Sequence, residues 1–219
     1  MKNVFPSLFS RRCTAAVRLA AVALPMLLAG CAGLTPPDAG TLRAESARAA
    51  GRSYQDSIDL DGRLSVLYRL NGEDQALHGS FTWHQTLGHS QVALLSPLGQ
   101  TLAVIDVRPY GATLTQSGDV TRAAADVDAL AAQSLGWPLP VSGLRTWLQG
   151  FAVQADGRPF VATPAADRVV TRDGWRIHYV TWDDSDPAHI LPKRIDLERQ
   201  TEQAGDVVIR LVIDDWHAR

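Results

Sequence analysis

From Ile58 onward apolar residues recur at every second position. Leu64, Val66, Tyr68 and Leu70 alternate with Arg63, Ser65, Leu67 and Arg69, the period of a strand with one buried face. Asn71-Gly72 then marks a tight hairpin, because both residues tolerate the positive φ of a two-residue turn. The returning strand carries Leu77, Phe81 and Trp83 on one face. Gly88 breaks the next connection, Val92 to Leu95 forms another strand, and Leu102 to Val107 follows, closed by Pro109. Gly111 opens a turn into a short strand around Leu114.

Within this run, LLSPLGQTLAVI (residues 94–105) does not read as a single strand. Ser96-Pro97-Leu98-Gly99-Gln100 is a string of turn formers with a leucine in its middle. The segment is two strands joined by a tip, and tips face water. Leu98 is therefore an apolar side chain where a polar one is expected.

The middle of the chain changes period. Val120 to Leu135 is Ala-rich, with Val127, Leu130, Ala131 and Leu135 near helical spacing, and Gly136 and Pro138 stop it. After Trp137-Pro138-Leu139-Pro140-Val141, Ser142 is placed to N-cap a second helix carrying Leu144, Trp147 and Leu148, ended by Gly150. Strand patterns then resume. Trp175, Ile177 and Tyr179 alternate with Arg176 and His178, Ile195 shares a face with Leu197, and Val207, Ile209, Leu211 and Ile213 line one face up to Trp216. Strands, a two-helix insertion and more strands describe a mainly β single domain. An antiparallel sheet of this length is a sandwich or a barrel, and when it curls the apolar helices sit in its concave face.

The N-terminus is read apart from the fold. Lys2, Arg11, Arg12 and Arg18 precede the apolar run Leu19 to Gly30, too short to span a bilayer, and Leu28-Ala29-Gly30 leads into Cys31. This is similar to a bacterial lipoprotein signal, which implies removal of residues 1–30 and acylation of Cys31. The second cysteine, Cys13, lies in the removed part, so no disulfide is expected. Removing those four cations from the chain's 21 leaves 17 basic residues against 23 acidic, which argues against nucleic acid as a partner. Residues 31–55, with Pro36-Pro37 and TLRAESARAA, read as lipidated N-terminus and tether, and 56–219 as the folded domain. Ala32, not Asp, follows the cysteine. By resemblance to enterobacterial sorting, this implies the outer membrane.

Candidate chemistry is sparse. There is no G-x-S-x-G, P-loop or H-E-x-x-H, and no nucleotide site. Asp214-Asp215 would place adjacent carboxylates on opposite faces of a strand, and Asp183-Asp184 sits in a polar turn. His178 alternates with apolar residues and is a candidate general base, although a histidine on the polar face of a strand is more often simply solvated, and His84 and His89 lack metal-site spacing. No catalytic residue, cofactor or metal is expected.

Taken together, the lipidated Cys31, GSFTWHQT (79–86), LLSPLGQTLAVI, LGWPLPVSGLRTWLQG (135–150), GWRIHYVTW (174–182) and VVIRLVIDDW (207–216) resemble the LolB family of outer-membrane lipoproteins. The resemblance implies an unclosed antiparallel β-barrel whose helices cover an apolar cavity. It implies a monomer that takes acylated lipoprotein cargo from a LolA-like periplasmic carrier and places it in outer-membrane lipid. Leu98, flanked by Pro97 and Gly99, matches the family's membrane-insertion position. Trp83, Leu144, Trp147, Trp175 and Trp216 fall in matching segments as scaffold or acyl-cavity lining. Two other readings of the same pattern are a lipoprotein that binds a free lipid, and an envelope tether that holds partners by its sheet edge.

Overall fold

The computed structural model describes residues 52–118, 120–183, 185 and 190–218. Cys31 and the tether up to Gly51 lie outside them. The strands are β1 (Ile58–Leu70), β2 (Glu73–Thr86), β3 (His89–Leu95), β4 (Thr101–Arg108), β5 (Gly111–Gln116) and β6 (Val120–Ala124). Helices α1 (Val127–Leu135) and α2 (Val141–Trp147) follow. Then come β7 (Phe151–Val153), β8 (Pro159–Val161), β9 (Arg168–Val170), β10 (Arg176–Asp183), β11 (Leu191–Thr201) and β12 (Gly205–Ala218).

Ten strands form one antiparallel sheet in the order β6-β5-β4-β3-β2-β1-β12-β11-β10-β9, and β7 pairs with β8 in a separate hairpin. The sheet does not close on itself, since β6 and β9 are its edges. Its register follows the alternation along the chain. Leu64 lies opposite Gly79 and Leu211, Val66 opposite Leu77 and Ile209, so the period-two apolar sets share one face. Asn71 and Gly72 both have positive φ, as the two-residue turn between β1 and β2 requires. The opposite face carries Asp59, Arg63, Ser65, His84 and Arg210, all partly or fully exposed, a pattern unlike the apolar band of a membrane-spanning barrel. No helix among the described residues is long and apolar enough to cross a membrane.

Both helices turn their apolar sides to the sheet's inner face. Val127, Leu130 and Ala131 of α1, with Val141, Leu144 and Trp147 of α2, join the same buried cluster as Leu64, Trp83, Ile105 and Ile209. Burying such side chains contributes about 1.5–3 kcal/mol each.

The structure differs from the sequence reading in three local places. Val120 to Ala124 is not the start of a helix. It is β6, paired to β5 with Leu114 opposite Arg122. Helix α1 begins only after Asp126, whose side chain accepts hydrogen bonds from the Asp128 and Ala129 amides. Ser142 does not cap α2. Pro140 occupies the cap without a side-chain bond. Asp128 of α1 reaches across instead and accepts from the Ser142 amide at 2.9 Å and from its hydroxyl, so one helix satisfies the first turn of the other. Third, Asp214 and Asp215 do not straddle the strand. The register shifts at Asp61/Gly62, leaving Asp214 as an extra residue between the pairs Asp61–Asp215 and Gly62–Ile213. Both carboxylates are exposed, and Asp214 pairs with Arg63 at 2.7 Å.

Candidate functional site

The tip at 96–100 is a compact turn. The Gly99 amide donates to the Ser96 carbonyl at 2.9 Å, and the Ser96 amide donates to the Gln100 carbonyl at 2.8 Å. Gln100 N–H also donates to the Ser96 hydroxyl at 3.2 Å. Pro97 presets the first corner, and Gly99 takes a φ of +79° that a side chain with a Cβ resists. Leu98 sits at the apex and is 88% exposed. Nothing in the fold covers it, while the turn beneath holds it in place.

Gly79 sets where that tip leaves the sheet. A Cβ on Gly79 would stand 2.1 Å from the Leu95 carbonyl oxygen, so β3 can end this close over β2 only with glycine there. A glycine inside the otherwise alternating GSFTWHQT was the signal for it.

The aromatic interior is built from the other nominated residues. Trp83, Leu144, Trp147 and Trp175 are each at most 5% exposed, and Trp175 lies beside a recess of about 490 Å³ that Leu139 and Arg199 also line. The Trp147 and Trp175 rings meet edge to face, 6.4 Å between centroids, and the Arg199 guanidinium lies 5.7 Å from the Trp175 ring centre. Trp147 lies against Gly143, where an added Cβ would come within 2.3 Å of its ring. Trp83 donates from its indole nitrogen to Gln85 Oε1 at 3.1 Å. Trp216 is only partly buried and stands at the edge of this group, opposite Leu60, and its indole N–H has no partner among the described residues. Four of the five nominated interior side chains therefore share one buried cluster, while Leu98 is set apart on the outside.

Polar groups tie the segment before β1 into this interior. Arg52 is buried, donating to the Ile190 and Ala162 carbonyls at 2.6 Å each, between the rings of Phe151 and Trp182 at 5.5 and 5.6 Å. Burial pulls its guanidinium below the usual arginine range. The phenol of Tyr179, fully buried against Trp182 and Phe160, is pushed up by desolvation, and its hydroxyl has no hydrogen-bond partner among the described residues. Gln55 and Gln149 exchange bonds of 2.8 and 2.9 Å, and Gln85 donates to the Tyr54 hydroxyl at 2.9 Å. Helix α2 is pinned at its other side by Arg145, which donates to Ser90 Oγ at 2.6 Å, to the Leu87 carbonyl at 2.9 Å and to the Thr86 carbonyl. Sequence reasoning missed Arg52, Arg145 and Gly143. A glycine inside a helical pattern was a usable cue for Gly143, whereas nothing local distinguishes a buried arginine from an exposed one.

No histidine–carboxylate group forms a reactive cluster. His178 lies 3.3 Å from Asp167, and His84 lies 2.7 Å from Asp59. These are separate surface pairs, and no metal-binding group occurs among the described residues.

Comparison with known proteins adds the family. A family model described as outer membrane lipoprotein LolB matches residues 56–216. Outer-membrane lipoprotein LolB of Cupriavidus pinatubonensis is 40% identical over 213 residues, covering 92% of this chain and 96% of that protein. The protein of the same name from Ralstonia nicotianae is 38% identical over 217 residues, 95% and 99% of the two chains. Among solved structures, a LolA superfamily protein from Nitrosomonas europaea aligns with a TM-score of 0.44 and 13% identity, over 84% of this chain and 94% of that one.

Proposed function

The chain belongs to the LolB family of outer-membrane lipoproteins, and on that footing we propose that it accepts acylated lipoproteins from a LolA-like periplasmic carrier and inserts them into the outer membrane. It is itself a lipid-anchored outer-membrane protein of lipoprotein trafficking, not an enzyme. In this reading residues 1–30 are removed, Cys31 carries the lipid, residues 31–55 tether the domain, and residues 56–219 receive the cargo.

The observation that carries the proposal is Leu98, an apolar side chain 88% exposed on a rigid turn. Acyl chains cost about 0.8 kcal/mol per methylene to expose to water, so cargo must pass from one apolar enclosure to the next. Direction then comes from affinity, about 1.4 kcal/mol for each tenfold step, with the bilayer as the tightest binder and no nucleotide hydrolysed. Leu98 engages the leaflet and brings the receiver's opening to it. The side chains of Trp83, Leu144, Trp147 and Trp175 are buried as they stand. The acyl chains enter as α1 and α2 move outward from the sheet, replacing helix–sheet contacts by lipid–sheet contacts of similar apolar character.

The test is a two-step transfer without nucleotide. A carrier loaded with acylated cargo is mixed with the purified chain, and cargo is then followed into liposomes. Both steps are expected to proceed. Failure to accept cargo from the carrier, alongside uptake of a free phospholipid, would move the assignment to a free-lipid binder.

A further inference from the structure

On the outer face of the sheet, directly beside the tip, lies a groove of about 520 Å³ walled on one side by Pro97. Arg63 and Ser65 of β1, His78 and Ser80 of β2 and Arg210 of β12 line it together with the apolar Leu64, Gly79 and Val212. We infer that this groove holds the phosphate of a membrane phospholipid headgroup while the tip is in the leaflet. The inference deepens the insertion role proposed above and rests on it.

Three observations converge. The first is charge. Arg63 is matched one to one by Asp214, whose carboxylate it grips with bonds of 2.7 to 3.2 Å. Asp196, by contrast, is shared by two guanidiniums, Arg194 at 2.6 and 3.0 Å and Arg210 at 3.2 Å. One positive charge is left over, and Arg210 reaches that carboxylate only through Nε, keeping its other donors for a ligand. The second is hydrogen bonding. Ser65, His78 and Ser80 are donors on the same groove, and their side chains have no hydrogen-bond partner among the described residues. Guanidinium and hydroxyl donors along one largely apolar groove suit a phosphate diester, which accepts several bonds, carries one negative charge and has an apolar stem beside it.

The third is depth. Consecutive Cα atoms are about 3.8 Å apart, so Pro97 stands one residue behind the inserting Leu98. The headgroup layer of a leaflet is roughly 5–7 Å thick. A leucine that reaches the acyl boundary therefore carries Pro97, and the groove it walls, to headgroup level. The apolar tip and the groove that Pro97 walls therefore adjoin each other, as the acyl and headgroup zones of a lipid monolayer do.

The experiment uses the mature lipoprotein reconstituted in liposomes. One set contains phosphatidylethanolamine bearing a headgroup diazirine, the other a diacylglycerol bearing the same diazirine without phosphate. After irradiation, lipid adducts are mapped by peptide mass spectrometry. Phosphate-dependent adducts are expected at residues 63–65, 78–80 and 210, falling about tenfold in Arg210→Gln, the loss of one charge-assisted hydrogen bond, and recovering in part in Arg210→Lys. Equal labelling by the phosphate-free probe, or unchanged labelling in both Arg210→Gln and His78→Ala, overturns the inference. Abolition of the adducts by millimolar glycerophosphoethanolamine also overturns it, because the site would then be one for a soluble phosphate ester. Cargo delivery is measured on the same samples. Loss of phosphate-selective labelling with delivery intact refutes the groove alone, and absence of delivery by the unaltered chain refutes the parent reading.

Discussion

Replacing Leu98 by glutamate separates two steps that a wild-type transfer assay merges. The side chain is 88% exposed, so the fold draws almost nothing from it and the turn below is held by backbone bonds and Gly99. The second corner of such a turn accepts most residues, and Leu98→Glu should unfold at the denaturant concentration of the parent. In the membrane the same exposure becomes the size of the effect. Burying a leucine is worth roughly 1.5–3 kcal/mol, of which about 1.3–2.6 kcal/mol is still ungained in the free protein. At 1.4 kcal/mol per decade, losing it slows release into liposomes by about ten- to eighty-fold, and Leu98→Ala falls between. Acceptance from the carrier, which does not involve the tip, keeps its rate. The assay is cargo transfer from loaded carrier to chain, then from chain to liposomes, each step timed separately. Release by Leu98→Glu at the parental rate would refute the role of the tip, and an equal slowing of both steps would show that the substitution damaged the receiver itself.

Other perturbations probe what holds the parts together. Gly79→Ala forces a Cβ to 2.1 Å from the Leu95 carbonyl. We expect a loss of about 3 kcal/mol by urea unfolding and faster amide exchange at residues 94–101. Gly143→Ala drives a methyl into the Trp147 ring and should cost roughly 1–3 kcal/mol, with a changed tryptophan emission spectrum. Arg52→Met leaves the Ile190 and Ala162 carbonyls without their donor, costing about 1–3 kcal/mol for each. Its signature is protease cleavage near residues 52–57 before global unfolding. Arg63 hydrogen bonding holds the Asp214 carboxyl below its ordinary value. As pH falls the unfolded chain takes up that proton first, so the pair's contribution is present above about pH 4 and is lost below it. Asp214→Asn should flatten the acid limb of a stability–pH curve and leave its neutral region nearly unchanged, since solvent screens an exposed pair.

Alternation made the large sheet readable. Leu64, Val66, Phe81, Trp83, Ile209 and Leu211 signal their shared face because a strand repeats every two residues, and the structure buries all six. The exposure of Leu98 was legible for a local reason too, since Pro97 and Gly99 make the turn themselves. Strands β7, β8 and β9 went unread because three residues cannot show a period, although Asp156-Gly157 between β7 and β8 was a turn cue. Val120 to Ala124 misled because alanine favours helices, whereas pairing to β5 decided the outcome. Arg52 was illegible in principle. Arginine is almost never buried unless partnered, and its partners at Ala162 and Ile190 lie more than 100 residues away. The close approaches at Gly79 and Gly143 are likewise tertiary facts that only folded neighbours reveal.

The sheet's two edges, β6 and β9, bear on how readily its inner face can be uncovered. A closed barrel has a girth dictated by strand number and stagger, and widening it means tearing a backbone ladder. Here no backbone ladder joins β6 to β9 among the described residues, and two short helices and a hairpin add the buried side chains Val127, Leu130, Leu144 and Phe151 to the interior. Such a cover can loosen one side chain at a time, with no backbone ladder broken, so uncovering the inner face need not be all or none.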